Sequence, residues 1–180
     1  MKRALAMLLA LILCVGCAPA GMRAVEPSQL IGRPFSARML LEWNGKEYSG
    51  SIARDAQGGL SLALTGESLI LPVSFACGTG ACAVTQGELS LNLRETDLPS
   101  SSLPSSLQRA FVLLENAKTR VGEDEIFLEA GAVRLICDSE SLAFSDLALE
   151  GGRIEFTEFA LPIPEHSAFE THRMDQEKIS

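Results

Sequence analysis

The sequence predicts a mainly β domain (an α+β chain in the loose sense): a curved antiparallel sheet, or unclosed β-barrel, of about nine or ten strands packed on one main helix. Three observations lead there. Apolar and polar residues alternate with a period of two through most of residues 35–162. Turn signals rich in Gly, Asn and Asp separate these runs at short intervals. One stretch, residues 103–121, breaks the alternation and carries its apolar residues at helical spacing.

The strands follow in order. Phe35, Ala37, Met39, Leu41 and Trp43 alternate with Ser36, Arg38, Leu40 and Glu42, the pattern of a half-buried strand. Asn44-Gly45 follows at once, and both residues tolerate the positive φ of a type I′ hairpin turn. Tyr48, Gly50 and Ile52 lie on the return strand, Asp55 to Gly59 make a second turn, and Leu60, Leu62 and Leu64 face one side of a third strand. Ile70 to Cys77 and Cys82 to Thr85 flank the loop Gly78-Thr79-Gly80-Ala81, and Leu89, Leu91 and Leu93 continue the meander. Leu98-Pro99 and three serines then end it.

Leu103, Leu107, Ala110, Phe111, Leu114 and Val121 give the helix its apolar stripe, with Ser102 at the N-cap position and Pro104 in the first turn. Gly122 is the expected stop. Strands resume at Glu125–Ala130, Ala132–Cys137, Leu142–Glu150 and Arg153–Phe159. Residues 163–180 are charged, lack a core pattern and read as a mobile tail.

The N-terminus reads as an address. Lys2 and Arg3 precede an uncharged run from Ala4 to Val15, too short to span a bilayer and suited to a signal-peptide core. Gly16-Cys17 after that run resembles the lipobox of bacterial lipoproteins, with Cys14 standing where Leu, Val or Ile is usual. The resemblance implies cleavage after residue 16 and diacylglycerol on the sulfur of Cys17. The alternative is an ordinary secretory signal cleaved after Ala18 or Ala20. The resemblance thus implies a signal peptide over residues 1–16 and a lipidated cysteine and tether over 17–34, with the domain expected over 35–162.

Removing residues 1–16 takes Lys2 and Arg3 away, so 15 basic residues become 13 against 23 acidic ones, and the net charge moves from −8 to −10. Such a balance argues against nucleic-acid binding, which needs a basic surface. It also opposes contact with anionic headgroups, so the domain stands off the membrane on its tether.

The body of the chain carries a resemblance too. Phe35-Ser36-Ala37, the run from Trp43 to Gly50, Leu98-Pro99 before the helix, and Ile154 to Phe159 together resemble the LolA/LolB-like fold, an unclosed barrel capped by helices. More narrowly, the chain resembles small LolA-like lipoproteins of Gram-positive bacteria, including sporulation and germination lipoproteins. It implies an extracytoplasmic, lipid-anchored protein, and it permits an acyl-chain cavity between sheet and helix.

Catalysis is not expected. His166 and His172 are the only histidines and both fall in the tail, where no base geometry is held. The chain has no Gly-x-Ser-x-Gly elbow, Walker loop or His-Glu-x-x-His run. Cys77, Cys82 and Cys137 lack zinc spacing, and no cofactor or metal is called for. Cys77 and Cys82 flank a short loop and are either disulfide-bonded across a hairpin or left as free thiols.

Two functions remain. One is a non-catalytic interaction module engaging an envelope protein. The other is a carrier or sensor of lipid or acyl chains. For the second, the sheet offers Met39, Leu41, Trp43, Leu62, Leu64, Leu89, Leu91, Leu135 and Phe156 as cavity lining. The helix adds Leu107, Phe111 and Leu114. The anchor at Cys17 has a direct test: in detergent phase separation, wild-type protein is expected in the detergent phase and Cys17→Ala in the aqueous phase.

Overall fold

The computed structural model describes residues 26–162. The signal-like segment, Cys17, and the tail with His166 and His172 lie outside the described residues. Eleven strands form one antiparallel sheet: β1 (Phe35–Trp43), β2 (Lys46–Arg54), β3 (Leu60–Thr65), β4 (Val73–Gly78), β5 (Ala81–Gln86), β6 (Leu89–Arg94), β7 (Lys118–Val121), β8 (Glu125–Ala130), β9 (Val133–Asp138), β10 (Phe144–Leu149) and β11 (Gly152–Ala160). Two helices accompany them, α1 (Pro27–Ile31) and α2 (Leu103–Leu114), with a 3-10 turn at Glu95–Asp97. The sheet is curved and unclosed, with β6 and β7 at its two edges in the order β6-β5-β4-β3-β2-β1-β11-β10-β9-β8-β7. Each ladder joins strands consecutive in sequence except β1 with β11, which unites two meanders at the centre of the sheet.

Alternation sorts the side chains. Phe35, Ala37, Met39 and Leu41 of β1 are buried and the residues between them exposed. Leu60, Leu62 and Leu64 of β3 repeat the pattern. The turn between β1 and β2 has Asn44 at φ 51° and Gly45 at φ 72°, the pair of positive values a type I′ turn requires. The outer face divides at the centre. On β1 to β6 it carries small side chains, as in the cross-strand row Ser36, Ala53, Ser61, Ala76, Ala83 and Asn92. From β1 to β7 through β11 it carries charges in the row Glu42, Arg153, Ala148, Arg134, Glu129 and Lys118, mostly of alternating sign.

Two expectations need correction. The helix predicted over residues 103–121 ends at Leu114, and Lys118–Val121 form β7 instead. After Leu114 the chain turns through Asn116, whose N–H bonds the carbonyl of Leu113, and the β-branched Thr119 and Val121 pair with Leu128 and Ile126 of β8. The strand count therefore rises to eleven. The second concerns the tether read over residues 17–34: Pro27–Ile31 within it are helical, with Leu30 and Ile31 buried in the core. Ser102 does sit at the N-cap of α2, but its hydroxyl bonds Ser105 and caps no backbone N–H.

The core lies between α2 and the inner face. Leu103, Leu107, Ala110, Phe111 and Leu114 point inward, and the helix packs on β8, β9, β10 and the adjoining part of β3. Phe35 is the hub of a ring cluster, with Phe144 at 5.0 Å, Phe159 at 5.3 Å and Phe111 at 6.0 Å between centroids.

Two arginines pin the short helix region to this cluster. Arg54 lies over the Phe111 ring at 5.3 Å, donates to the carbonyl of Ile31 and approaches Glu115 at 3.7 Å. Arg33 lies over Phe144 and Phe159 and donates to the carbonyl of Leu142, a residue held at φ 57°. Truncating Phe111 to Ala is expected to lower stability by about 3–5 kcal/mol in denaturant titration. Its exposed neighbour, Val112→Ala, should stay within about 0.5 kcal/mol of wild type in the same assay.

Candidate functional site

The helix covers one part of the inner face and leaves another open. Following one cross-strand row outward makes the change visible: Ile52 and Leu62 are buried, Phe75 and Val84 are half-buried, and Leu91 on β6 is 62% exposed. The neighbouring row runs through Leu64, Val73 and Gln86 to Leu89, which is 73% exposed. The loop between β3 and β4 adds Ile70, at 96%, and Leu71. Leu71 borders the β5–β6 turn: its carbonyl accepts from Gln86 Nε2 at 3.4 Å, and its side chain lies against Gly87. Leu89 and Leu91, with Ile70 and Leu71 nearby and the half-buried Phe75 and Val84 beside them, thus form an apolar surface left open among the described residues. An exposed cluster of this kind marks an interaction surface.

The residues expected to line a sheet–helix cavity separate into two groups. Met39, Leu41, Leu62, Leu64, Leu107, Phe111, Leu114, Leu135 and Phe156 are buried, and Trp43 packs against them partly buried. Leu89 and Leu91 face the same side of the sheet but lie beyond the reach of α2, in the open. The exposed Ile70 and Leu71 and the half-buried Phe75 and Val84 complete the open surface and are not singled out from the sequence. The alternation of Val73, Phe75 and Cys77 in β4 carried the signal for Phe75.

Cys77 and Cys82 are opposite each other on β4 and β5 and are disulfide-bonded. The bond joins residues only five apart in sequence, so its effect on unfolded-chain entropy is small. It fixes the end of the β4–β5 hairpin nearest Leu60 and Leu93.

Cys137 is a buried free thiol on β9. Burial pushes its pKa up to about 12, with the nearby Arg33 charge opposing the rise. Desolvation in the same region lowers Arg33, whose Nε is buried without a partner. At the next turn the hydroxyl and N–H of Ser141 hold the Asp138 carboxyl below its ordinary value against desolvation, aided by the Glu140 N–H. On the outer face Asp146 is buried and accepts from Arg153, raising the arginine, while its Oδ1 has no partner. None of these groups adjoins the open apolar surface.

Elsewhere, a shallow depression of about 630 Å³ lies on the outer face among Ser51, Ala53, Ser61, Ala63, Ser74 and Ala76. Small side chains make up most of its lining, and the charges at its border, Arg38 and Glu158, pair with each other at 3.2 Å. Among the described residues no cluster of three or more His, Cys, Asp and Glu could hold a metal ion, and no helix is long and apolar enough to cross a membrane.

No protein-family model matches the chain, and no curated protein matches it. Several solved structures are similar in outline. A chain in the Pseudomonas aeruginosa MucA/MucB complex aligns with 79% of this chain at 16% identity and a TM-score of 0.41, and this chain spans 60% of its length. LprF from Mycobacterium bovis aligns with 77% of this chain and 91% of its own, at 6% identity and a TM-score of 0.38. A LolA superfamily protein from Nitrosomonas europaea aligns over 81% and 98% of the two chains, at 9% identity and a TM-score of 0.40.

The Cys137 thiol gives a pH dependence with a defined sign. Its folded pKa lies above the unfolded value of 9.0, so its contribution is complete below that pH and is lost as pH rises toward about 12. Denaturant titrations should show wild type losing stability relative to Cys137→Ala across that window, and a parallel pH profile would refute the assignment.

Proposed function

We propose that this chain is a non-catalytic binding module of the cell envelope, held on the extracytoplasmic face of the membrane by a lipid on Cys17 and of LolA-like architecture. The observation that carries the binding reading is the apolar inner surface of β4 to β6, left open beside a fully packed core. Apolar side chains so exposed have a cost in water that contact with a partner removes. The acidic balance of the chain, net −8 over its full length, sets this surface among charges repelled by anionic lipid heads. A protein partner suits such a surface better than the membrane itself.

The carrier reading has less room. Where α2 meets the sheet, Leu107, Leu114, Leu128, Leu135 and Leu147 are fully buried, so that space is occupied by the chain's own side chains. An acyl chain would have to lie on the open surface of β4 to β6 instead.

One experiment separates the readings. A photo-reactive amino acid replacing Val84 in the full-length protein should cross-link to a discrete envelope protein, and the same group at Ser74, on the opposite face, should not. Native mass spectrometry of Cys17→Ala protein purified without detergent is expected to show no bound lipid. A stoichiometric acyl ligand there, with no protein adduct from Val84, would replace the module reading with the carrier.

A further inference from the structure

We infer that β6 is a self-association edge, through which two copies of this chain pair antiparallel into one continuous sheet. The inference concerns the backbone edge of β6; it shares Leu89 and Leu91 with the binding surface but stands whether or not an envelope partner exists.

The two edges of the sheet are unlike. β7 is four residues long and carries Lys118 and Arg120, a short charged edge of the kind that discourages strand addition. β6 is six residues long, and five of its residues, Leu89, Ser90, Leu91, Asn92 and Arg94, are exposed. No described strand pairs with this edge, and an open edge with leucines at alternate positions is a template for a further strand.

The register of that strand follows from the hairpin. Gln86 and Leu89 pair across the two-residue turn Gly87-Glu88, with Gly87 at φ 59° in the first turn position. The pair flanking such a turn is hydrogen-bonded. Leu89, Leu91 and Leu93 therefore turn their N–H and C=O groups toward β5, and Ser90, Asn92 and Arg94 turn theirs toward the free edge. A two-fold axis through Leu91 uses these free groups and sets Ser90 opposite Asn92 of the second copy, twice.

The same axis brings like to like on the apolar face. Leu91 meets Leu91, and Leu89 meets Leu93. It also sets Glu88 opposite Arg94, twice, so that Arg94, already bonded to Asp97 of its own copy, gains a second carboxylate across the new ladder. Shifting the axis by one residue pair in either direction loses that charge pairing. The strand is self-complementary in one register, as a two-fold interface requires.

Cross-linking tests the register directly in the full-length protein, in its own membranes. A non-hydrogen-bonded antiparallel pair has its Cα atoms about 4.5 Å apart, within disulfide reach. Leu91→Cys should therefore give a disulfide-linked dimer under mild oxidation. Leu89→Cys alone should not, and should do so when co-expressed with Leu93→Cys. Leu91 is mostly exposed, so its substitution leaves the core intact.

Charge exchange adds a second readout. Glu88→Arg or Arg94→Glu, each in the Leu91→Cys background, should reduce the dimer several-fold, and co-expressing the two variants should restore it between unlike copies. The inference fails if Leu91→Cys yields no more dimer than the outer-face control Ser74→Cys. It also fails if the adduct contains another protein or the charge variants leave the yield unchanged. Cross-linking from Val84 to an envelope protein can succeed or fail independently of each of these results.

Discussion

A single helix of twelve residues serves a sheet of eleven strands, and the mismatch in area governs the molecule. The helix is about 18 Å long and about 10 Å across. Eleven strands spaced at about 4.8 Å make an arc of about 50 Å. The helix therefore cannot cover the whole inner face, and its position decides which side chains are dry. Packed on β8 to β10 and reaching β3 across the curve of the sheet, it buries most of one meander and only part of the other. The open leucines of β6 are the remainder.

The rest of the architecture is arranged around the covered part. Phe35 gathers the rings of Phe111, Phe144, Phe156 and Phe159, so the central strands β1 and β11 share one cluster with the helix. Arg33 and Arg54 close the cluster from the α1 side through ring faces and backbone carbonyls, giving charged groups a place at the border of an apolar core. The open region has no such rim. Its nearest fixed elements are the disulfide between β4 and β5 and the bidentate contact of Arg94 with Asp97. It is held in shape by covalent and backbone bonds more than by packing.

Much of the fold was legible from residue order because β alternation is local. Phe35 to Trp43 and Asn44-Gly45 announce β1 and its turn with no tertiary information. The end of α2 was not legible, because Val121 falls at a helical interval from Leu114 while also alternating within Lys118–Val121. Only the partner strand β8 decides between them. The cavity lining failed at Leu89 and Leu91 for a related reason. Alternation tells which face a side chain takes, and it carries no information on how far a helix extends over that face. Cys17 is read from its local run alone, Gly16-Cys17 after the apolar stretch, and lies outside the described residues.

The pairing of β1 with β11 has a further consequence. Ser36 lies opposite Ala160, so the chain enters and leaves the domain at the same point in the middle of the sheet. The other ladders join near neighbours in sequence and can form early. The central one must close a loop of well over a hundred residues, at an entropic cost of roughly 4 kcal/mol for a flexible chain. The Phe35 cluster spans that seam, and α2, packed on β3 as well as on β8 to β10, ties the two meanders together a second time.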